Sequence, residues 1–98
     1  MHKNYWVYIL LCENQTHYTG YTDNLEKRFR AHLDGSAKCK YTRSFKPLYI
    51  AQSWLIEGDR ALALRLERTI KKLTKKQKIE LISNPSTLAS DPRVHPER

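Results

Sequence analysis

The chain has 98 residues, enough for one small domain with a modest core, and 40% hydrophobic with 10% aromatic content excludes a disordered segment. Eighteen Lys and Arg against ten Asp and Glu give a net charge of +8, and the isoelectric point is near 9.7. A small domain this basic is drawn to a polyanion, most often nucleic acid, and the absence of any eighteen-residue apolar run excludes a spanning helix.

The first element is Tyr5 to Cys12, aromatic and aliphatic, too short for a helix and too apolar for an edge; it reads as a buried strand. It is followed by a polar turn with no small-residue cleavage site, so it is not a secretion signal, and a cytoplasmic location is expected. Glu13-Asn14-Gln15 is a turn, and Thr16 to Tyr21 is the hairpin partner. A three-residue loop sets Tyr8 opposite Gly20 and Leu10 opposite Tyr18, all on one face, with the bare Gly20 leaving room beside the Tyr8 ring.

Asp23 is expected to cap the next helix, with Glu26 completing a capping box. Leu25, Phe29, His32 and Leu33 form its buried stripe and Gly35 ends it. Ser36 to Pro47 reads as a basic connecting segment, and Leu48 to Ile56 as a third strand. Asp59 caps a helix whose apolar face is Leu62, Leu66, Thr69, Ile70 and Leu73; Thr74 with Gln77 then starts a shorter helix reaching about Ile82. The polar, proline-containing segment 84–98 is expected to be a mobile tail behind a single domain over 1–83. The fold expected is α+β, a three-stranded antiparallel sheet flanked by helices.

Cys12 and Cys39 are too far apart for a CxxC motif, and with His17 and His32 they match no zinc spacing; both are expected to be reduced. The groups able to carry chemistry lie elsewhere. Arg28 and His32 stand one helical turn apart at the rim of the apolar stripe, where a guanidinium can offer its fork to a phosphate and His32 can contact phosphate or donate a proton. The bland account is an arginine snorkelling over the core beside a core histidine. Glu67 is the one acid inside its helix, among Arg65, Arg68, Lys71 and Lys72. It is either an i, i+4 partner of Lys71 or a carboxylate able to hold a single magnesium ion. A tyrosine such as Tyr8 or Tyr18 in a strand is ordinarily packing, and a phenol near a metal and a cation can serve as a base. Two basic stretches are candidate backbone-binding surfaces: Lys38, Lys40, Tyr41, Arg43 and Lys46, and then Arg65, Arg68, Lys71, Lys72, Lys75 and Lys76.

In order, Trp6-Val7-Tyr8, Tyr18-Thr19-Gly20, the helix Asn24 to His32, Lys40-Tyr41-Thr42-Arg43 and Arg65-Leu66-Glu67-Arg68 resemble the GIY-YIG nuclease domain. The resemblance is to its small stand-alone bacterial group, UPF0213-like and related to the UvrC N-terminal module, and it covers Tyr5 to roughly Ile82. Trp6 and Val7 replace the first motif's glycine and isoleucine, and Thr19 the isoleucine of the second; the Trp6 ring can alter how substrate enters.

The resemblance implies a metal-dependent nuclease cleaving a nucleic-acid phosphodiester, with DNA ranked ahead of RNA and branched or damaged DNA among the candidates. Tyr8 would be the base, Tyr18 the residue orienting water or phosphate, Arg28 the phosphate clamp with His32 in support, and Glu67 the ligand of one Mg2+ or Mn2+; Gly20 is structural. Two alternatives stay open: a nucleic-acid-binding module of the same fold without turnover, and a protein-interaction domain for an acidic partner.

Overall fold

In the computed structural model, which describes residues 3–97, β1 (Asn4–Cys12) runs through the middle of the sheet. On one side it pairs antiparallel with β2 (His17–Thr22), on the other with β3 (Pro47–Glu57). The hairpin closes through the Cys12 N–H donating to the Thr16 carbonyl at 2.9 Å. The register is Tyr8 opposite Gly20 and Leu10 opposite Tyr18, as the loop length and side-chain alternation require.

That alternation divides the core. Val7 and Ile9 of β1 join Trp54 and Ile56 of β3 beneath α3 (Arg60–Lys71), meeting Leu62, Ala63 and Ile70, with Leu81 of α4 (Lys75–Ser83). Tyr8, Leu10 and Cys12 point to the opposite face, beneath α1 (Leu25–Asp34), where Leu25 and Phe29 cover them together with Tyr18, Tyr41 and Ile50. Each large apolar side chain sealed in this way contributes about 1.5–3 kcal/mol.

Helix boundaries follow from caps. Asn24, not Asp23, is the cap of α1: its side chain accepts from the Lys27 N–H at 3.1 Å. Both residue types can cap, and Asp23 is instead engaged by the Lys3 ammonium at 2.7 Å. Gly35 ends the helix at φ 81°, where glycine avoids the Cβ penalty. Asp59 caps α3 through the Leu62 N–H, and Thr74 with Gln77 forms the capping box of α4. Thr69 is not on the buried face of α3; its hydroxyl donates back to the Arg65 carbonyl in solvent, and Ala63 takes the inward position.

Two segments depart from expectation. The basic connection holds a short helix, α2 (Lys40–Ser44), with Thr42 buried. The tail expected to be mobile carries a 3₁₀ turn (Pro85–Leu88) and a fourth strand, β4 (Val94–Pro96), which pairs with β3. The sheet is thus four-stranded, in the order β2-β1-β3-β4. Residue 83 is not a boundary between ordered and mobile chain, for three reasons. Val94 enters the core, the Trp54 indole N–H needs an acceptor and finds the Pro85 carbonyl at 2.9 Å, and Arg93 bridges Asp59 and Asp91. Among the described residues no helix is long and apolar enough to cross a membrane.

Candidate active site at the free edge of the sheet

Gly20 lies opposite Tyr8 on the edge strand β2, and the Tyr8 ring runs out over it. A Cβ built on Gly20 would stand 2.5 Å from the Tyr8 Oη and 2.6 Å from its Cζ. The phenol is thereby carried towards the free edge of the sheet. There it meets His32, whose Nε2 lies 2.9 Å from the Tyr8 Oη. The other ring nitrogen, Nδ1, lies 2.8 Å from the Thr42 Oγ1, and that hydroxyl in turn faces the Cys39 carbonyl at 3.4 Å. A carbonyl only accepts, so the consistent direction is a chain. Tyr8 O–H donates to Nε2, Nδ1–H donates to Thr42, and Thr42 O–H donates to Cys39.

His32 is 1% exposed. Burial, aided by the Arg28 charge, lowers its pKa to about 4, so at neutral pH it is an uncharged imidazole with Nε2 as acceptor. With both nitrogens engaged and the ring buried, His32 offers no face to a phosphate; its Nε2 accepts the Tyr8 hydrogen bond. Burial raises the Tyr8 pKa, and the Arg28 guanidinium beside the phenol works against that rise. A raised phenol and an imidazole lowered to about 4 both oppose transfer from Tyr8 to His32 at rest. The resting pair is therefore neutral phenol and neutral imidazole.

The charge of Glu67 on α3 adds, as the smallest contribution, to the rise of the Tyr8 phenol. The Glu67 side chain is only 13% exposed, and its cation partner is Lys71 at a loose 3.6 Å. The i, i+4 pairing expected as the bland alternative is present, and it is a loose one. Tyr18 packs between His32 and Tyr41, its ring tilted against both at centroid distances of 5.3 and 5.9 Å. Burial raises its pKa, and the adjacent Cys39 thiol adds to the rise. Burial also works to raise the Cys39 thiol, but hydrogen bonding from Tyr18 and from Thr42 outweighs it and the net shift is downward.

The two basic stretches are placed differently. Lys38, Lys40, Arg43 and Lys46 are exposed around α2; Tyr41 packs inward against Tyr18 and Phe45, its hydroxyl on Thr16. Arg65, Arg68, Lys71 and Lys72 are exposed along α3, and Lys75 and Lys76 open α4. The two meet through a residue outside both sets of candidates. Lys78 is half-buried, its ammonium donates to the His17 carbonyl at 3.5 Å, and it lies within electrostatic reach of Tyr41 and Lys71. Burial lowers its pKa. Thr42, Cys39 and Lys78 come from a short helix and a helix flank whose contacts are long-range; only the motif-like Lys40 to Arg43 run drew attention to the first.

A groove of about 670 Å3 lies against the other flank of α1, lined by Leu25, Phe29, Leu48, Tyr49 and Ile50, and there the Trp6 ring sits. It contains none of the polar groups just described.

Against known proteins, the model of the GIY-YIG catalytic domain matches residues 4–80. A UPF0213 protein of Clostridium perfringens is 46% identical over 81 residues, covering 83% of this chain and 85% of that one. A UPF0213 protein of Syntrophus aciditrophicus is 39% identical over 89 residues, covering 90% of this chain and the whole of its own length. The solution NMR structure of a UPF0213 protein from Bacillus halodurans superposes with a TM-score of 0.54 at 32% identity, over 89% of this chain and 94% of that one. The matched span contains β1 to β3, α1 to α3 and every residue of the Tyr8–His32–Thr42 chain, together with Arg28 and Glu67. The protein belongs to the GIY-YIG catalytic-domain family, a nuclease family, and its relatives are bacterial UPF0213 proteins.

Proposed function

We propose that the protein is an endonuclease that hydrolyses a phosphodiester bond of DNA, with the Tyr8–His32 pair as its base. The observation that carries this is the 2.9 Å hydrogen bond from the Tyr8 phenol to a buried, uncharged imidazole, with the Arg28 guanidinium beside the phenol. An attacking water gives its proton to the Tyr8 oxygen as the phenolic proton passes to His32 Nε2. The imidazole so charged keeps Thr42 as acceptor for its Nδ1–H. The oxygen of water forms the new bond to phosphorus as the bond from phosphorus to the 3′ oxygen breaks; that oxygen keeps the bonding electron pair and takes a proton from solvent, while His32 later releases its own.

Arg28 clamps the scissile phosphate, and its positive charge meets the negative charge that grows there. A bound phosphate anion also favours the imidazolium, which narrows the large gap that keeps the resting pair neutral. Tyr18, its ring fixed between His32 and Tyr41, orients water or phosphate.

Among the described residues no three His, Cys, Asp or Glu side chains gather as a closed metal cage. A single, mostly buried carboxylate held only loosely by Lys71 suits a hard ion that keeps its waters, so Glu67 would hold one Mg2+ or Mn2+. Such an ion supplies Lewis-acid polarisation of the phosphoryl oxygen and stabilisation of the departing 3′ oxygen. The exposed lysines and arginines of α2, α3 and α4 hold the backbone on either side.

The test is magnesium-dependent cleavage by the purified protein over branched, flapped, linear and supercoiled DNA, with RNA alongside. Glu67→Ala and Arg28→Ala are each expected to abolish nicking while circular dichroism stays unchanged. Retained nicking in either variant refutes the role given to that residue. Salt-sensitive binding without cleavage by the unmodified protein would favour the binding-module alternative.

A further inference from the structure

A second cleft opens beside Arg28, at the end of the sheet where β1 begins and β2 ends. It has a volume of about 480 Å3 and is lined by Lys3, Tyr5, Tyr21, Thr22, Asp23, Arg28 and Arg60. Three cations far apart in the chain are thus gathered at one opening, with Asp23 as the acid among them. Asp23 is taken by Lys3 at 2.7 Å. Neither Arg28 nor Arg60 has an ion-pair partner among the described residues.

Arg60 is nevertheless aimed. Its Nε and one Nη donate to the Tyr21 Oη at 3.4 and 3.1 Å, which fixes the plane of the fork. The Asp23 hydrogen bond holds Lys3 protonated, while the Arg60 charge opposes it, so the two cations are within electrostatic reach. Like charges held around one concavity repel until an anion sits between them, and a planar fork with a nearby hydroxyl suits a phosphate. Arg28 lines this cleft and also neighbours the Tyr8 phenol, so the cleft continues the reaction site.

We infer that Arg60, oriented by Tyr21 and assisted by Lys3, binds the nucleic-acid phosphate next to the one held by Arg28. This rests on the nuclease function proposed above and assigns the path of the strand: from the free edge of β2 at Tyr8 along to its end at Tyr21 and Thr22. Arg60 is a binding residue in this scheme; it touches the substrate backbone and takes no part in proton transfer.

The experiment uses the full chain carrying Glu67→Gln, expected on the proposed function to bind without cleaving, and measures the affinity for a labelled DNA duplex and a single strand across a salt series. Adding Arg60→Gln is expected to weaken binding about tenfold at low salt and to lower the slope of log affinity against log salt by about one. Adding Arg60→Lys keeps the charge without the fork, so the slope stays while affinity falls by a smaller factor. Unchanged affinity and slope with Arg60→Gln would overturn the inference while leaving the nuclease function standing. A loss equal at every salt concentration would also overturn it, since that marks Arg60 as a brace between α3 and β2. Absence of any nucleic-acid binding by the Glu67→Gln protein would sink both.

Discussion

Gly20 is where the fold and the site can be separated by one methyl group. Its backbone is in a region open to any residue, so Gly20→Ala carries no φ penalty; what it carries is a collision. The new Cβ would lie 2.5 Å from the Tyr8 Oη, and ordinary contact is about 3.5 Å, so the phenol must retreat by about 1 Å. Such a shift costs about 1–3 kcal/mol of overpacking, offset by about 0.4–1 kcal/mol from the stiffer unfolded chain. It also disturbs the 2.9 Å bond to His32, and a misplacement of that size costs about 100-fold in rate.

The comparison is Gly35→Ala, whose φ of 81° makes alanine cost about 1–2 kcal/mol with only an ordinary contact to Arg43 nearby. Urea unfolding and single-turnover DNA cleavage are measured on both. Similar losses of stability are expected, with cleavage lost in Gly20→Ala and kept in Gly35→Ala. A Gly20→Ala protein that cleaves at the unmodified rate would refute the placement of the phenol.

Three further outcomes follow from the same geometry. Thr42→Val removes the acceptor of the His32 Nδ1–H; it is expected to cost about 1–3 kcal/mol in urea unfolding and to move the ring proton to Nε2, read by 15N NMR, with loss of cleavage. The His32 pKa of about 4 lies below the ordinary 6.5, so the unfolded chain binds the extra proton between those values. Stability is therefore complete above pH 6.5 and falls as the pH drops towards 4, by roughly 3 kcal/mol from this residue. His17, also lowered by burial, adds in the same direction, so the difference between unmodified and His32→Gln protein isolates the His32 share; identical pH profiles would contradict it. Truncation after residue 92 removes Arg93 with its two ion pairs, β4 and the buried Val94; loss of Val94 burial alone is expected to cost roughly 2–3 kcal/mol, whereas a mobile tail would leave the urea midpoint unmoved.

The hairpin register was legible because a three-residue loop and strict alternation leave one solution, and that solution already put Gly20 across from Tyr8. The stretches of α1, α3 and α4 were legible from their apolar spacing and closing signals. Which of two adjacent capping residues starts α1 was not, because Asp23 is claimed by Lys3, a contact between separate elements. The tail misled for a similar reason. Its polar, proline-containing composition is that of mobile chain, but Val94, Pro85 and Arg93 are held by Trp54, Asp59 and the edge of β3, partners thirty or more residues away. At the site, the residue types of Tyr8, Arg28, His32 and Glu67 were visible in the sequence. The direction of the Tyr8–His32–Thr42 chain was not, since it depends on α2, a five-residue helix hidden in a run of lysines and arginines.

The proposed chemistry turns on one oxygen atom. Tyr8→Phe keeps the ring that fills the space over Gly20 and deletes only the hydroxyl bonded to His32. In single-turnover cleavage of DNA with magnesium, it is expected to slow the reaction by about 100- to 10,000-fold while substrate binding and circular dichroism hold. A Tyr8→Phe protein that cleaves at the unmodified rate would contradict the assignment of the phenol–imidazole pair as the base.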